Sequence, residues 1–351
     1  MDKDVMKAMA DRVFRDVSGG MATALAWIGT ETGLFRALAE AGPCTLNELV
    51  ARTGLVSRYV EEWARGMVAA QYLRFDAQAD TYELPAEHAF LLASEGSDHF
   101  MGGLFAMVPP LMTVAPRVCA AFTSGGGVPF ADFPAQCRDA IDLMNRGNYE
   151  HRLSSYWLQA LPDTVARLQA GGSALDLGCG NGQVVLALAR AFPAAQIVGV
   201  DPDTASIDTA RELLNGAGLG GQVTLRNNTL DQIDNAQRFD LVTACDCLHD
   251  LPNPVAVLRD VRERLNDDGV LLVIEPRVSD RLEENINPVA AMFYGFSLLH
   301  CTTQSMACDG AALGACLGPA RTRALFAEAG FSRCEELDLR SPVNLFYSVR
   351  R

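Results

Sequence analysis

The feature that most constrains this chain is a glycine corner and the acid that follows it. The segment SALDLGCGNG, residues 173–182, carries an apolar run into glycines at 178, 180 and 182, and the helical run VVLALARAF comes next. Glycines at such a corner let the main chain approach a ligand and present N–H groups at a helix N-terminus. The following apolar run, QIVGVD, closes on Asp201, 19 residues beyond Gly182. A carboxylate at the tip of a second parallel strand is placed to accept both hydroxyls of a ribose. The spacing G-x-G-x-G is not the G-x-G-x-x-G of dinucleotide binders, and it suits a nucleoside with an amino-acid tail better than a pyrophosphate.

The pattern continues to the end of the chain. VTLRNN, FDLVTACD and VLLVIEP are further β runs, with helices predicted over Ala205–Leu214 and Pro254–Leu265; RCEELDL and VNLFYSVRR are two closely spaced strands with no helix between them. Apolar strands joined by helices form a parallel sheet covered on both faces. Here that sheet ends in an antiparallel hairpin.

The N-terminal part reads differently. Residues 20–40 have apolar residues at helical spacing; Thr45 and Glu48 form a capping-box signature for a short helix ending at Gly54; Ser57 is placed to cap the next helix, with Val60, Trp63 and Met67 on one face. YLRF and TYEL then flank the turn DAQAD as a hairpin. Three helices and a hairpin are the order of a winged helix. A DNA-binding role is disfavoured, because residues 45–90 hold four arginines and no lysine against seven carboxylates, and the third helix, the would-be recognition helix, presents Glu61 and Glu62 where phosphate contacts need donors. Dimerisation is the preferred role.

The 351-residue chain has a formal net charge of −14, which argues against a broad phosphate-neutralising surface and leaves a small molecule as the expected partner, with no nucleic acid. Asp2, Lys3, Asp4, Lys7 and Asp11 interrupt any signal-peptide pattern, and the apolar run 100–116 carries Pro109, Pro110 and Pro116, a poor membrane span. Ten cysteines without an export signal read as reduced thiols, so a cytoplasmic location is expected. The SGGGVPF segment at 124–130 is either a flexible turn or an edge of a substrate pocket.

FDLVTACD delivers CDCLHDLPNP, residues 245–254, to the C-terminal edge of the sheet, where open α/β sheets bind ligands. His249 has three readings: metal ligand, structural histidine, or proton acceptor. C-x-C-x-H is compressed relative to zinc pairs, and sequence fixes no distance to His300, Cys301 or Cys308, so no metal is expected. A neutral imidazole can take a proton near neutral pH, as transfer to a hydroxyl requires.

From Gly172 onward these motifs resemble the class I S-adenosylmethionine-dependent methyltransferases, and CLHDLPNPVAVLRDVRERL resembles the L-H-D segment of small-molecule O-methyltransferases that carry an N-terminal winged-helix dimerisation domain. The whole chain is also similar to a bacterial group of winged-helix-fused methyltransferases sharing GGGVP, DCLHD, EP and NPV segments. The resemblance implies an α/β fold, a Rossmann-like seven-stranded methyltransferase sheet with an N-terminal α+β winged-helix domain. It implies a winged-helix dimerisation domain over 1–100, a helical connector over 101–165 and a methyltransferase domain over 166–351. S-adenosyl-L-methionine is the implied cofactor, held by Asp176, Gly178, Cys179, Gly180, Gly182, Asp201, Pro202, Asn228, Thr229 and Asp246. Asn228 and Thr229 stand where the family often has an adenine-contacting Asp. His249 is the implied base; the acid that orients it is not assigned, with Asp250 and Glu275 both close in sequence.

On the acceptor side, Met292, Phe293, Tyr294 and Phe296 are candidate pocket walls or plain core. Arg277 is a candidate partner for an acceptor carboxylate or a surface or interdomain ion-pair residue, and Tyr149, Glu150 and His151 either reach the cofactor pocket, with Tyr149 also a candidate substrate contact, or form a plain helical face. The expected activity is methyl transfer to a hydroxyl of a small organic molecule by a homodimer. Transfer to nitrogen or sulfur, or a ligand-sensing regulator, are the alternatives.

Overall fold

Apolar residues at helical spacing near the N-terminus form two helices where the sequence suggested one. Lys3–Glu31 stops at Thr32, and Leu34–Ala41 begins after Gly33. This computed structural model describes residues 1–234 and 236–351. They fall into two compact units, 1–110 with 139–148, and 111–138 with 149–351.

In the first unit Thr45 closes the expected capping box on Leu46–Thr53: Glu48 N–H donates to its hydroxyl and Thr45 N–H donates to the Glu48 carboxylate at 2.8 Å. Ser57 does not cap the next helix. It is the first helical residue of Ser57–Ala69, and Val56 flanks it without a side-chain bond. Strands β1 (Arg74–Asp76) and β2 (Thr81–Glu83) pair antiparallel with Phe75 opposite Tyr82. The core forms around Trp63, whose ring meets Phe35 edge-on at 5.4 Å and whose indole N–H donates to Leu25 O at 2.8 Å. The apolar body is thus buried and its one donor satisfied.

Helix Gly102–Ser124 runs through all three prolines, and by length and composition it is apolar enough to cross a membrane; part of it is buried within the described chain. The three prolines thus lie within one continuous helix.

The second unit is built on β3 (Ser173–Leu177), β4 (Gln196–Val200), β5 (Val223–Arg226), β6 (Phe239–Cys245), β7 (Leu265–Pro276), β8 (Arg333–Glu336) and β9 (Asn344–Arg350), in the spatial order β5-β4-β3-β6-β7-β9-β8. The first five are parallel, with Leu175 opposite both Val198 and Val242, and β9 is antiparallel to β7 and β8. β3, β6 and β7 are buried on both faces, which is why they read as continuous apolar runs. The chain order reverses between β3 and β6, so the crevice at their C-terminal ends is where this topology binds ligands.

Candidate active site

β3 ends at Asp176 and Leu177, and the glycine loop folds back onto the end of β4: Gly178 N–H and Cys179 N–H both donate to Val200 O, at 2.9 and 3.0 Å. A side chain at Gly182 would put its Cβ 2.8 Å from Ala210 Cβ, so only glycine lets the loop enter helix Gln183–Ala191 at this closeness. Above Gly180, by contrast, a Cβ would meet nothing within 4 Å. The loop is packed on one side and open on the other.

Asp201 stands across that opening. Its Oδ2 accepts Gly180 N–H at 2.9 Å and its Oδ1 accepts Asp203 N–H at 2.8 Å. Each oxygen keeps lone-pair capacity for a further donor, the number a vicinal diol needs. The sequence reading passed over Asn227, whose amide donates to Asp201 O and Pro202 O and accepts from Thr204 Oγ1 at 2.8 Å. It ties the ends of β4 and β5 together; the only signal for it was its place at a strand end. Asn228 is half-buried beside it, and Thr229 is exposed, its N–H bonded to Gln232 Oε1 at 3.4 Å.

Three carboxyls gather at this edge. Asp176 is buried, accepts Thr243 Oγ1–H at 2.6 Å, and is pushed up to about 7 by burial. Asp246, in the left-handed region at φ 51°, is pushed up to about 7 by burial and then by Glu275. Its side chain bonds the Tyr149 hydroxyl, whose own ionisation is driven far up by burial and by Asp246. Asp201 is raised as well, chiefly by burial. The fixed partners of Asp176 and Asp246 are hydroxyls, and carboxyls so placed ionise readily only when a cation faces them.

β6 and β7 end in register, Cys245 opposite Ile274, so the turn Leu248–Asp250 lies beside Glu275. Glu275 is 2% exposed and His249 3%. His249 Nδ1 lies 2.5 Å from Glu275 Oε2, and Glu275 Oε1 accepts Leu248 N–H at 3.1 Å. Of the two acids near the histidine in sequence, Glu275 is therefore the one bonded to Nδ1. Nε2 faces Asp250 Oδ1 at 3.7 Å, and the ring also bonds the thiol of Cys301. Burial disfavours a charged ring here, yet the carboxylates of Glu275 and Asp250 overcome it and hold His249 well above its ordinary value. Cys247 turns away, its thiol donating to Leu177 O at 3.1 Å. Cys179 is likewise buried against the loop.

Pro288–Phe296 carries Met292 and Phe293, both half-buried, and Tyr294, 41% exposed; it runs on into Ser297–Thr302, which supplies Cys301. The glycine-rich segment packs on this region: Val128 N–H donates to Thr303 Oγ1 at 2.9 Å, and Phe133 meets the buried His300 ring at 4.9 Å. Arg277 turns to the main chain, its Nε–H donating to Ser341 O at 2.8 Å. Glu150 and His151 line a groove of about 350 Å³ with Gln183 and Arg190, and Glu150 pairs with Arg190 at 3.1 Å. The fold thus gathers Asp176, Asp201, Asp246, Tyr149 and His249 at one edge, while Arg277 is occupied at the antiparallel end of the sheet.

Comparison with known proteins agrees with this architecture. Residues 175–271 match the family described as a methyltransferase domain, and residues 20–94 match an Rv2258c-like winged HTH domain. A ubiquinone biosynthesis O-methyltransferase of Actinobacillus pleuropneumoniae serotype 7 is 33% identical over 107 residues, 29% of this chain and 44% of that protein. The chain thus spans under half the length of that curated relative. A Nostoc punctiforme protein described as an O-methyltransferase superposes with a TM-score of 0.71 at 19% identity, over 97% of this chain and 99% of its own. Human N-acetylserotonin methyltransferase, solved with SAM, superposes at 0.66 and 18% identity, over 100% and 98%. The methyltransferase fold and the winged helix ahead of it, which the motifs implied, are both present.

Proposed function

We propose that this chain, a methyltransferase domain joined to a winged helix, is an S-adenosyl-L-methionine-dependent methyltransferase that acts on a hydroxyl of a small organic molecule. The observation that carries this reading is the buried His249–Glu275 pair set at the same sheet edge as the glycine loop and Asp201. The residues present fit the cofactor. Gly180 leaves open space, Asp201 keeps acceptor capacity for ribose hydroxyls, and the raised carboxyls of Asp176 and Asp246 suit a ligand that bears positive charge. Pro202, Asn228 and Thr229 follow β4 and β5 and would flank the base, and Tyr149 would fix Asp246 toward the amino-acid end. When bound, the cofactor supplies an electrophilic methyl group on a sulfonium.

His249 performs the proton step. Glu275 holds Nδ1, and once the ring has given up the proton that Glu275 and Asp250 favour, Nε2 accepts the acceptor's proton as the new oxygen–carbon bond forms, so the rate is expected to rise with pH through the raised value of His249. This contribution is about 10²- to 10⁴-fold in rate. Placement of the two reactants in line contributes up to roughly 7–11 kcal/mol. Met292, Phe293 and Tyr294 form a wall of the acceptor space. The winged helix acts in dimerisation, supported by the exposed apolar side chains Met6, Met9, Val13, Phe14 and Val17 on Lys3–Glu31.

Incubation with isotope-labelled S-adenosylmethionine and a metabolite extract will yield a product heavier by one methylene. On that acceptor His249→Ala is expected to lower kcat by about 10²- to 10⁴-fold with cofactor affinity unchanged. An unchanged kcat removes the base and favours a sulfur or nitrogen acceptor, which needs none.

A further inference from the structure

We propose that His249, Asp250 and Cys301 form a binding site for a zinc-like divalent cation, with a fourth coordination position left to water or a ligand oxygen. The imidazole nitrogen, carboxylate oxygen and thiol sulfur all lie within 4.8 Å of one another. His249 Nε2 and Asp250 Oδ1 are 3.7 Å apart, beyond hydrogen-bond range and near the roughly 3.4 Å that separates two N/O ligands on a tetrahedral zinc. Asp250 Oδ1 is buried with no hydrogen bond at bonding distance, and the groups its carboxylate meets are the His249 ring and the Cys301 thiol, the other two members of the set. A cation between the three groups satisfies it.

The far side of the imidazole is prepared in the same sense. Nδ1 is held by the Glu275 carboxylate at 2.5 Å, the arrangement by which metal-binding histidines fix the tautomer that leaves the other nitrogen as ligand. A nitrogen, an oxygen and a sulfur donor suit zinc or cobalt rather than magnesium or calcium. Three protein ligands with one open position are the pattern of exchangeable rather than closed structural sites. His300 adds none of these ligands; its ring is engaged between Phe130 and Phe133, at 5.9 and 4.9 Å. The spacing C-x-C-x-H concealed the set because its two cysteines are not part of it, and Cys301 arrives from Ser297–Thr302.

The site stands on geometry alone, but one consequence rests on the proposed methyl transfer: a cation on Nε2 occupies the lone pair that takes the proton, so loading the site inhibits turnover. The full-length chain, stripped with a chelator, is titrated with Co²⁺ and followed by absorption. One equivalent is expected to give visible bands of tetrahedral cobalt and a near-ultraviolet thiolate-to-cobalt band, both erased by Zn²⁺. Cys301→Ser, with its fold verified by an unchanged melting curve, loses the thiolate band, and Glu275→Gln binds Co²⁺ about 10- to 100-fold more weakly. Asp250→Asn, at a half-exposed position, also weakens binding. Absence of the bands, or a thiolate band that persists in Cys301→Ser, overturns the site. If Co²⁺ binds as expected and Zn²⁺ leaves methyl transfer untouched, the cation site stands and the base reading falls. If His249→Ala abolishes transfer and no cobalt bands appear, the base stands and the cation site falls.

Discussion

Glu62 and Glu275 each face a cationic partner, and their surroundings make them chemically different groups. Glu62 pairs with Arg58 one turn away on Ser57–Ala69, and both side chains are about two-thirds exposed. Glu275 faces His249 with neither open to water. An exposed i,i+4 pair gains little, because water and salt screen it and two long side chains must be held still. A buried pair is held by surroundings that would otherwise leave one charge uncompensated. In the winged helix, then, charge faces charge in water: Arg58 pairs with Glu61 and Glu62, and Arg65 with Glu61. At the sheet edge, charge sets protonation.

The contrast can be broken most directly at Glu275. Glu275→Leu is expected to destabilise the fold by about 3–5 kcal/mol, measured by urea unfolding. The effect is pH-dependent. His249 holds its proton more tightly folded than unfolded, so the contribution of the pair is complete below about pH 6.5 and fades as pH rises through the raised value. A penalty that is the same at pH 6 and at alkaline pH rejects the ion pair.

A second test concerns the acids around the glycine loop. Burial pushes Asp176 and Asp246 up to about 7, and each must be ionised to face a cationic ligand. Below that pH the affinity for S-adenosylmethionine is expected to fall by about tenfold per unit for each proton displaced, with proton release visible in calorimetry. Affinity flat from pH 6 to 8 would place the cofactor's charge elsewhere.

The exposed domain yields smaller effects. Thr45→Ala removes one half of the capping box and should cost about 1 kcal/mol in thermal or urea unfolding. Glu62→Gln is expected to leave the melting temperature unchanged within error, and a clear shift would show that the surface pair is held more rigidly than its exposure implies.

Features set by short stretches of chain were legible in advance. The glycine corner, the Thr45 cap and the terminal hairpin all depend on residues a few positions apart. Where a local signal failed, the cause was equally local: Ser57 was already helical, and Gly33 divided a run whose apolar spacing continued across it. Asn227 escaped notice because its role is to bond main-chain carbonyls of another loop, which leaves no periodic trace.

By itself the sequence determined the sheet and its ligand-binding edge, because strand and helix periods, glycine conformations and the acid at a strand tip act over the range of a single βαβ unit. Only the tertiary structure decided what His249 faces. The parallel register of β6 on β7 brings Glu275 to Nδ1, and Ser297–Thr302 brings Cys301 to the same ring. Those contacts join residues far apart in the chain through packing, and packing distances are not written in spacing.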